Sequence, residues 1–425
     1  MTRRFTNATR ETFSSLKHRN FQLFFAGQGI SQVGNWLTLI AQTLLVLKLT
    51  GSGVMVGLLT ACQFAPVLLF GAWAGLIADR YDKRKLLITV QVFAMAQSFA
   101  LAALAFSHNP PVWAIFIVAS FGGLTMAFDN PARRAFVVEM VPESDVNNAV
   151  SLNSALMTSS RIIGPTLAGL LIHTSGYGWC FTVDGLSYIA VIIGYGLMRP
   201  NTFRAAPTAP KGKKQIRAGF HYARSVPDLW IPLVMMAVIG TLSFNFQVVM
   251  PLFVERTFHG NTGTFTLLFS TVAVGSLIGA LATARRKVIN VSNVVFASGA
   301  FGVAMLVFAA SPNLVSSFPL GVIVGCFSIA FMTASTAIVQ VRSAPEMRGR
   351  VLALQAIVFL GSTPIGGPIL GAICDWLGAR AGIVVGGLAA VGAAAWGHAA
   401  AKRKVGEPGI TVERLPVTDP ELQTA

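Results

Sequence analysis

The stretch GLIADRYDKRK, residues 75–85, places six charged side chains among the seven positions from Asp79 to Lys85. Long apolar runs lie on both sides, VMVGLLTACQFAPVLLFGAWAG before it and LLITVQVFAMAQSFALAALAF after it. Each run has the roughly 20 residues that a helix needs to cross the hydrocarbon core of a bilayer. The stretch therefore predicts a charged loop at a membrane surface, between two membrane-spanning helices.

The composition of the whole chain agrees with a membrane protein. Hydrophobic residues make up 54% of the 425 residues and charged residues 11%, whereas soluble domains carry about 25% charged residues. Reading each apolar run of about 20 residues as a span predicts twelve helices, at 21–47, 53–78, 86–107, 112–130, 147–173, 179–198, 230–254, 264–284, 292–310, 315–339, 349–374 and 381–401.

Several other classes of protein are disfavoured. The polar residues 1–20 and the long first apolar run lead us to expect no cleavable signal peptide. The four cysteines lie singly in apolar segments, without a CxxC or Cys/His cluster, so we expect no disulfide, metal site or cofactor. No GxxxxGK[ST] motif is present, which argues against direct use of ATP, and we expect no enzyme activity.

The basic residues indicate the topology. All but four of the 32 Lys and Arg residues lie before the first span, in loops after even-numbered spans, or after the last span; the exceptions are Lys48, Arg161, Arg256 and Arg380. The positive-inside rule then places both termini in the cytoplasm. Because the charge is spread over many loops, the net charge of +16 does not indicate a nucleic-acid partner.

The longest internal polar stretch divides the spans six and six. Its second part has the spacing of an amphipathic helix suited to the inner membrane surface, although a solvated connector is an equal alternative. A shift of 203 residues superposes GPTLAG (164–169) on GPILGA (367–372), as in transporters built from parallel repeats. We therefore predict an all-α integral membrane fold of 12 transmembrane helices in two six-helix pseudo-repeats, with an N-terminus 1–20, a first bundle 21–198, a linker 199–229, a second bundle 230–401 and a tail 402–425.

The charged loop resembles a signature of the major facilitator superfamily, Gly-x-x-x-Asp-Arg/Lys-x-Gly-Arg/Lys-Arg-Arg/Lys. The matching residues are Gly75, Asp79, Arg80, Lys83, Arg84 and Lys85, and Asp82 replaces the second glycine. The segment DNPARRAFVVEMVPESDVNNAVSLNSALMTSSRIIGPTLAGLL resembles the branch of this superfamily that includes enterobactin exporters, transmembrane secretion effectors and multidrug efflux proteins. The resemblance covers roughly residues 10 to 405.

This resemblance implies a latch on the cytoplasmic side. The resemblance places Asp79 against the start of the eleventh span while the cavity faces outward. At the start of that span, Ser343 and Glu346 have capping-box spacing. We expect Asp129 to pair with Lys83 or Arg84. The alternative is that these charges serve only to set the topology.

Polar side chains recur at helical spacing on several spans. The face of the first span carries Gln28, Gln32 and Asn35, and lipid cannot satisfy such groups. The resemblance places these and similar residues around a central cavity, while hydrogen bonding between helices is the competing explanation; the other candidates are Thr158, Asn245, Thr336 and Gln340.

Arg161 is a cation within the fifth span. Such a residue costs about 2.5–3.5 kcal/mol on insertion scales and must face protein or water. No acid lies three or four residues away on its own helix. Its partner is therefore another helix, backbone carbonyls or an anionic substrate, and a purely structural role is the alternative.

Gly164, Pro165, Ala168 and Gly169 of the fifth span resemble the antiporter motif of the superfamily, with alanine in place of one glycine. Proline removes a backbone donor and small residues permit close packing, so we expect kinks in spans 5 and 11. The resemblance associates this motif with export. The residues concerned are Gly164, Pro165, Gly169, Gly367 and Pro368.

Together these features predict a secondary active exporter of amphipathic small molecules, of drug or siderophore type, driven by proton antiport. Asp129 and Asp184 are the candidates for proton coupling, and Asp129 is the preferred one. We expect a monomer in the bacterial inner membrane whose partners are lipid, protons and the substrate. Uptake by proton symport, and a sensor or scaffold that moves nothing, are the alternatives.

Overall fold

The computed structural model describes residues 13–204, 215–284 and 290–405. The predictions made for the basic linker segment 205–214, for residues 285–287 and for both chain ends lie outside the described residues. Within them, twelve segments are long and apolar enough to cross a membrane, which confirms the predicted number of spans.

The helices of the first half are α1 Arg19–Thr50, α2 Gly53–Arg80, α3 Lys83–Phe106, α4 Val112–Glu139, α5 Val146–Ser175 and α6 Tyr177–Leu197. A short helix, α7 Gln215–Ser225, precedes the second half. The second half comprises α8 Pro227–Leu242, α9 Phe246–Phe258, α10 Thr262–Ala284, α11 Val291–Ala309, α12 Leu314–Arg342, α13 Pro345–Leu377 and α14 Ala379–Val405.

The seventh span is divided into α8 and α9. The amides of Ser243 and Phe244 both donate to Ile239 O, at 2.7 and 3.2 Å, so the chain leaves the regular helical ladder there. Gly366 of α13 packs against this break, where a Cβ atom would collide with the backbone of Thr241. Close approach of α13 therefore requires glycine at this position.

Short connections alternate between two faces of the molecule. The face that contains the loop Tyr81–Asp82 is called the basic face, because the Asp79–Lys85 cluster lies there. The face that contains the connection Gly51–Ser52 is called the far face. Gly51 closes α1 with a positive φ of 62°, which glycine adopts without steric cost.

The charged loop is shorter than its composition suggests. Only Tyr81 and Asp82 separate α2 from α3, and the Asp82 side chain accepts a hydrogen bond from Lys85 N at 3.0 Å. Asp82 is thus the N-cap of α3. An aspartate at the place of the second glycine therefore allows the tight connection.

Helix α7 packs on the start of α13. The Tyr222 hydroxyl accepts a hydrogen bond from Ala344 N at 2.9 Å, and Ala223 is fully buried. The predicted capping box of Ser343 and Glu346 is wrong: α13 begins one residue later, with Ala344 at the N-cap position. The Ser343 hydroxyl is buried without a hydrogen-bond partner.

The two halves meet along two helix pairs. Helix α2 packs against α13, and α5 packs against α10, while the other main contacts are made within each half. Among the described residues, most contacts between the halves therefore lie on these four helices, and α1 and α9 add a smaller number.

Candidate functional site

Arg161 lies in the middle of the molecule and stacks on a tryptophan. Its guanidinium carbon is 5.6 Å from the centroid of the Trp36 indole, a distance typical of a cation–π contact. Arg161 lies midway along α5 and Trp36 midway along α1. The Arg161 side chain is exposed, and within the described residues its guanidinium makes no hydrogen bond or ion pair. The partner expected from another helix is thus an aromatic ring, not an acid.

The halves close on the far-face side of this pair. The Trp36 ring lies 5.9 Å from the ring of Phe269 on α10. Ser270 donates to Ile162 O at 3.1 Å and lies 2.9 Å from the hydroxyl of Thr166. Contacts between α1, α5 and α10 therefore join the two halves on the far-face side of Arg161.

A second group of contacts closes the far face itself. Asp375, near the end of α13, accepts hydrogen bonds from Gly53 N at 2.7 Å, Val54 N at 3.0 Å and Ser52 Oγ at 2.8 Å. Its carboxylate also forms an ion pair with Arg256 at 2.8 Å. An anion at the first turn of α2 interacts favourably with the helix dipole and the free amides there. We call Ser52, Gly53, Val54, Arg256 and Asp375 the far-face clasp.

Arg256 completes the clasp from the second half. Its guanidinium donates to Gly51 O at 2.7 Å and to Cys374 O at 3.1 Å. One cation therefore binds the carbonyl that ends α1 and the helix that carries Asp375. The clasp joins α1 and α2 to α9 and α13, which makes it a link between the halves.

Glycines permit the backbones of the two halves to touch. A Cβ atom on Gly57 would collide with Gly367 O, and one on Gly371 would collide with Gly53 O. In the other pair, Gly169 packs against the Thr266 side chain. The predicted glycine-proline segments thus lie at both contacts between the halves. Pro165 and Pro368 lie inside continuous helices, and the kinks remain a prediction.

The basic face lacks comparable links in the described part of the chain. Asp79 and Arg80 are exposed and make no hydrogen bond or ion pair there. Among residues 13–204, 215–284 and 290–405, the hydrogen bonds and ion pairs between the halves instead lie on the far-face side of Arg161. The predicted latch of Asp79 with the start of α13 is not formed in this arrangement, so its formation in another state remains a prediction.

The predicted pairing of Asp129 with Lys83 or Arg84 is wrong. Asp129 pairs with Arg133 at 3.1 Å, one turn later on the same helix, where the spacing suits an ion pair. Lys83 binds Glu139 at 2.7 Å. Arg84 donates to the carbonyl oxygen of Tyr195 at 2.6 Å, at the end of α6, where a cation is favoured.

Asp129 and Arg133 belong to a buried polar network of the first half. Arg133 donates to Gln28 Oε1 at 3.0 Å, and Gln91 donates to Asp129 Oδ1 at 2.9 Å. Gln32 donates to the same Gln28 oxygen at 3.1 Å. Both predicted cavity glutamines of α1 are thus buried and engaged inside the first half, and their contact with a substrate remains a prediction.

The other predicted cavity residues are held by local bonds. Asn35 is exposed and accepts from the Tyr188 hydroxyl at 3.0 Å. The other three form these bonds: Thr158 donates to Ser154 O, Asn245 donates to Thr241 O, and Thr336 accepts from Gln355 at 3.1 Å. Gln340 is exposed. The Asn245 side-chain oxygen is buried without a hydrogen-bond partner.

Asp184 has a different environment from Asp129. It is 1% exposed, and its Oδ2 accepts from Thr38 Oγ1 and Ser98 Oγ, both at 2.7 Å. Its Oδ1 has no hydrogen-bond partner. Within the described residues no cation pairs with it, so deprotonation would leave a buried charge that only two hydroxyls stabilise.

Several of these residues were missed by sequence reasoning. Trp36 carries no polar signal on an apolar span. Arg133 was assigned to a loop because the fourth span was predicted to end at 130, whereas α4 continues to Glu139. The sequence marks Arg256 only as an exception to the distribution of basic residues, and nothing local in the sequence indicates that it meets Asp375.

Comparison with known proteins agrees with this architecture. Residues 10–423 match the family described as transmembrane secretion effectors. The chain is 25% identical to the staphyloferrin A transporter of Staphylococcus aureus, over 84% of this chain and 89% of that protein. It is 24% identical to macrolide efflux protein A of Streptococcus pyogenes, over 82% and 89% of the two chains.

A solved structure shows the same fold. The crystal structure of a bacterial homolog of the human lysosomal transporter Spinster, in an inward-facing and unoccupied conformation, matches with a TM-score of 0.72. The match covers 92% of this chain and 98% of that chain at 15% identity. This likeness concerns the fold alone.

Proposed function

Since the chain belongs to the transmembrane secretion effector family of the major facilitator superfamily, we propose that it exports amphipathic small molecules by proton antiport. It is a multi-pass membrane transporter of the bacterial cell membrane. Direction, driving ion and mechanism are the proposed part. The single observation that carries the mechanism is that, in the part of the chain that the structure describes, the hydrogen bonds and ion pairs between the halves lie on one side of Arg161.

The orientation follows from the basic residues. If the basic face is cytoplasmic, as the positive-inside rule indicates, the links between the halves lie on the outer side, and we propose that this arrangement is the inward-facing state. Export then requires the far-face clasp to open and the basic face to close around a bound substrate. Thiol labelling of intact cells tests the orientation, using single cysteines at His108 and at Tyr81, both of which are exposed. We expect an impermeant reagent to label position 108 only, and labelling at position 81 would reverse the assignment.

The names of the relatives favour export. One relative is called an efflux protein for macrolides and another an enterobactin exporter. The glycine-proline segment on α5 resembles the antiporter motif. Together these observations support outward transport over uptake.

Of the two coupling candidates, the surroundings favour Asp184. Asp129 has a cation, Arg133, on its own helix at 3.1 Å, so movement between the halves does not remove that partner. Asp184 is held by neutral hydroxyls, so gain or loss of a proton changes a charge that no neighbour cancels. We propose that Asp184 carries the exchanged proton.

Purified protein in liposomes tests the function. The liposomes are loaded with each compound of a fluorescent amphipathic panel, with and without an imposed pH gradient. Movement of the compound across the liposome membrane is then followed with time. Antiport predicts that compound and protons move in opposite directions and that a protonophore abolishes the gradient-driven part. Movement in the same direction would indicate uptake by symport. No movement of any compound would indicate a sensor or scaffold.

A further inference from the structure

We infer that the transported molecule is an anion that binds Arg161 and packs against Trp36. This inference rests on the proposed function, because it names the class of substrate for the same central site. It begins from the position of one cation.

Arg161 is an accessible cation in the middle of the molecule. A charged side chain within a span must face protein or a wet space and requires a partner. The Trp36 face lies 5.6 Å from the guanidinium carbon, but an aromatic ring does not neutralise a charge. In the described part of the chain, no carboxylate reaches this guanidinium. Its hydrogen-bond donors thus remain available to a ligand.

Two acids of the first-half spans are already engaged. Asp129 is paired with Arg133, and Asp184 is buried against Thr38 and Ser98. The exposed polar neighbour at this level of α1 is Asn35, a neutral amide. The accessible charge of the site is therefore positive, which attracts anions and opposes cations.

The Trp36 indole fixes the shape of this site. Gly164 lies beside it, where any Cβ atom would collide with the tryptophan side chain, and Phe269 lies 5.9 Å from the ring on the opposite half. A guanidinium held on an aromatic ring presents its planar donors as a fork, which suits a carboxylate or a similar oxyanion. The ring offers an apolar surface next to it. The fitting ligand thus carries an anionic group beside an aromatic or apolar part.

A binding experiment tests this inference separately from transport. The protein is placed in nanodiscs of zwitterionic lipid, and two probes with the same fluorophore are titrated: dansyl-glutamate, an anion, and dansyl-cadaverine, a cation. We expect the wild-type protein to bind dansyl-glutamate at least about 10-fold more tightly. Failure to prefer the anion, including failure to bind it saturably, would overturn the inference.

Substitutions locate the preference. Arg161→Gln removes the charge and should weaken dansyl-glutamate binding about 10- to 100-fold, the range of one hydrogen bond to a charged group, while binding of the cation is kept or improved. Arg161→Lys should retain part of the preference because charge remains without the fork. The matched control is Arg134→Gln, which makes the same charge change at an exposed residue of α4 and should leave both affinities unchanged.

The outcomes separate the two hypotheses. An anion preference that disappears in Arg161→Gln supports the inference even if liposomes show uptake instead of export. Equal loss in Arg134→Gln would show a general effect of net charge and would contradict a role for Arg161. Export in liposomes without any effect of Arg161→Gln on binding would retain the proposed function and refute the anionic site.

Discussion

The far-face clasp makes a prediction about the balance between conformations. In the closed structure Asp375 accepts three hydrogen bonds from the start of α2 and pairs with Arg256. All of these partners except Arg256 belong to the other half, so the bonds must break when the far face opens. Asp375→Asn keeps the size of the side chain but removes its charge and turns one acceptor into a donor. We expect this variant to populate the state that is open at the far face.

The magnitude follows from the bonds that are lost. A hydrogen bond to a charged group contributes about 1.5–3 kcal/mol, and water recovers part of this when the face opens. The Asp375 and Arg256 side chains are 18% and 31% exposed, so their ion pair adds only about 0–1 kcal/mol. Since the amide still accepts one bond, we expect a loss of about 2–3 kcal/mol. This corresponds to roughly a 30- to 150-fold change in the ratio of the two states.

Distances between spin labels measure this ratio. On a background without native cysteines, labels at His108 and Pro312 report the separation of the halves at the far face, where both residues are exposed. A second pair, at Tyr81 and Gly349, reports the basic face, and Gly349 has room for a side chain. In Asp375→Asn we expect longer distances for the first pair and shorter distances for the second.

Two further variants test the reasoning. Asp228→Asn removes a carboxylate that pairs with Arg342 at 3.5 Å within the second half, and it should leave both distance distributions unchanged. A double variant, Asp375→Arg with Arg256→Asp, exchanges the two charges. It should not restore closure, because a cation at the first turn of α2 meets amide donors and the positive end of the helix dipole. Unchanged far-face distances in Asp375→Asn, or full restoration by the exchange, would refute the clasp.

Three other substitutions test separate parts of the structure. Gly57→Ala should prevent closure at the far face and abolish transport, since its Cβ atom would collide with Gly367 O. The control is Gly392→Ala, because nothing lies within 4 Å of the added atom there. Spin-label distances and transport show whether the two variants differ. Asp184→Asn should lose accumulation driven by a pH gradient but keep exchange of labelled for unlabelled compound across liposomes, and gradient-driven accumulation at the wild-type rate would exclude Asp184 as the proton carrier. Asp79→Asn should leave the far-face distances of the resting protein unchanged and slow transport, because its predicted partner is met only in the other state; normal transport would leave the loop with a role in topology alone.

The spans were predictable because their signals are local. Apolar length and the position of basic residues depend only on neighbouring sequence and on the bilayer. The charged loop was recognised for the same reason, and the role of Asp82 as an N-cap is a refinement of it. Errors arose where the ends of helices matter. Extension of α4 to Glu139 places Arg133 on the same helix as Asp129 and gives Asp129 a partner that a boundary at 130 could not reveal.

The site was only partly predictable, because its decisive contacts join distant segments. Arg161 was identified from its cost in a membrane, yet its contact with Trp36 depends on how α1 and α5 pack. Contacts that must form and break during a cycle also consist of groups that water can satisfy, such as carboxylates, hydroxyls and backbone amides. Such groups have no periodic pattern in the sequence that marks them as partners.

The two ends of the α2–α13 pair show how one arrangement can serve both states. These helices run in opposite directions, so the end of each lies beside the start of the other. At the far face Asp375, two residues before the end of α13, binds the first turn of α2 in the closed structure. The predicted latch places Asp79, one residue before the end of α2, against the start of α13 in the opposite state. The carboxylate near the end of each helix would then meet the positive start of the other helix, one pair in each state. Opening one face releases one contact between an anion and a helix dipole, and closing the other face forms the second such contact. This pairing would keep the free-energy difference between the states small, which a transporter needs if the binding of a substrate or a proton is to shift the population.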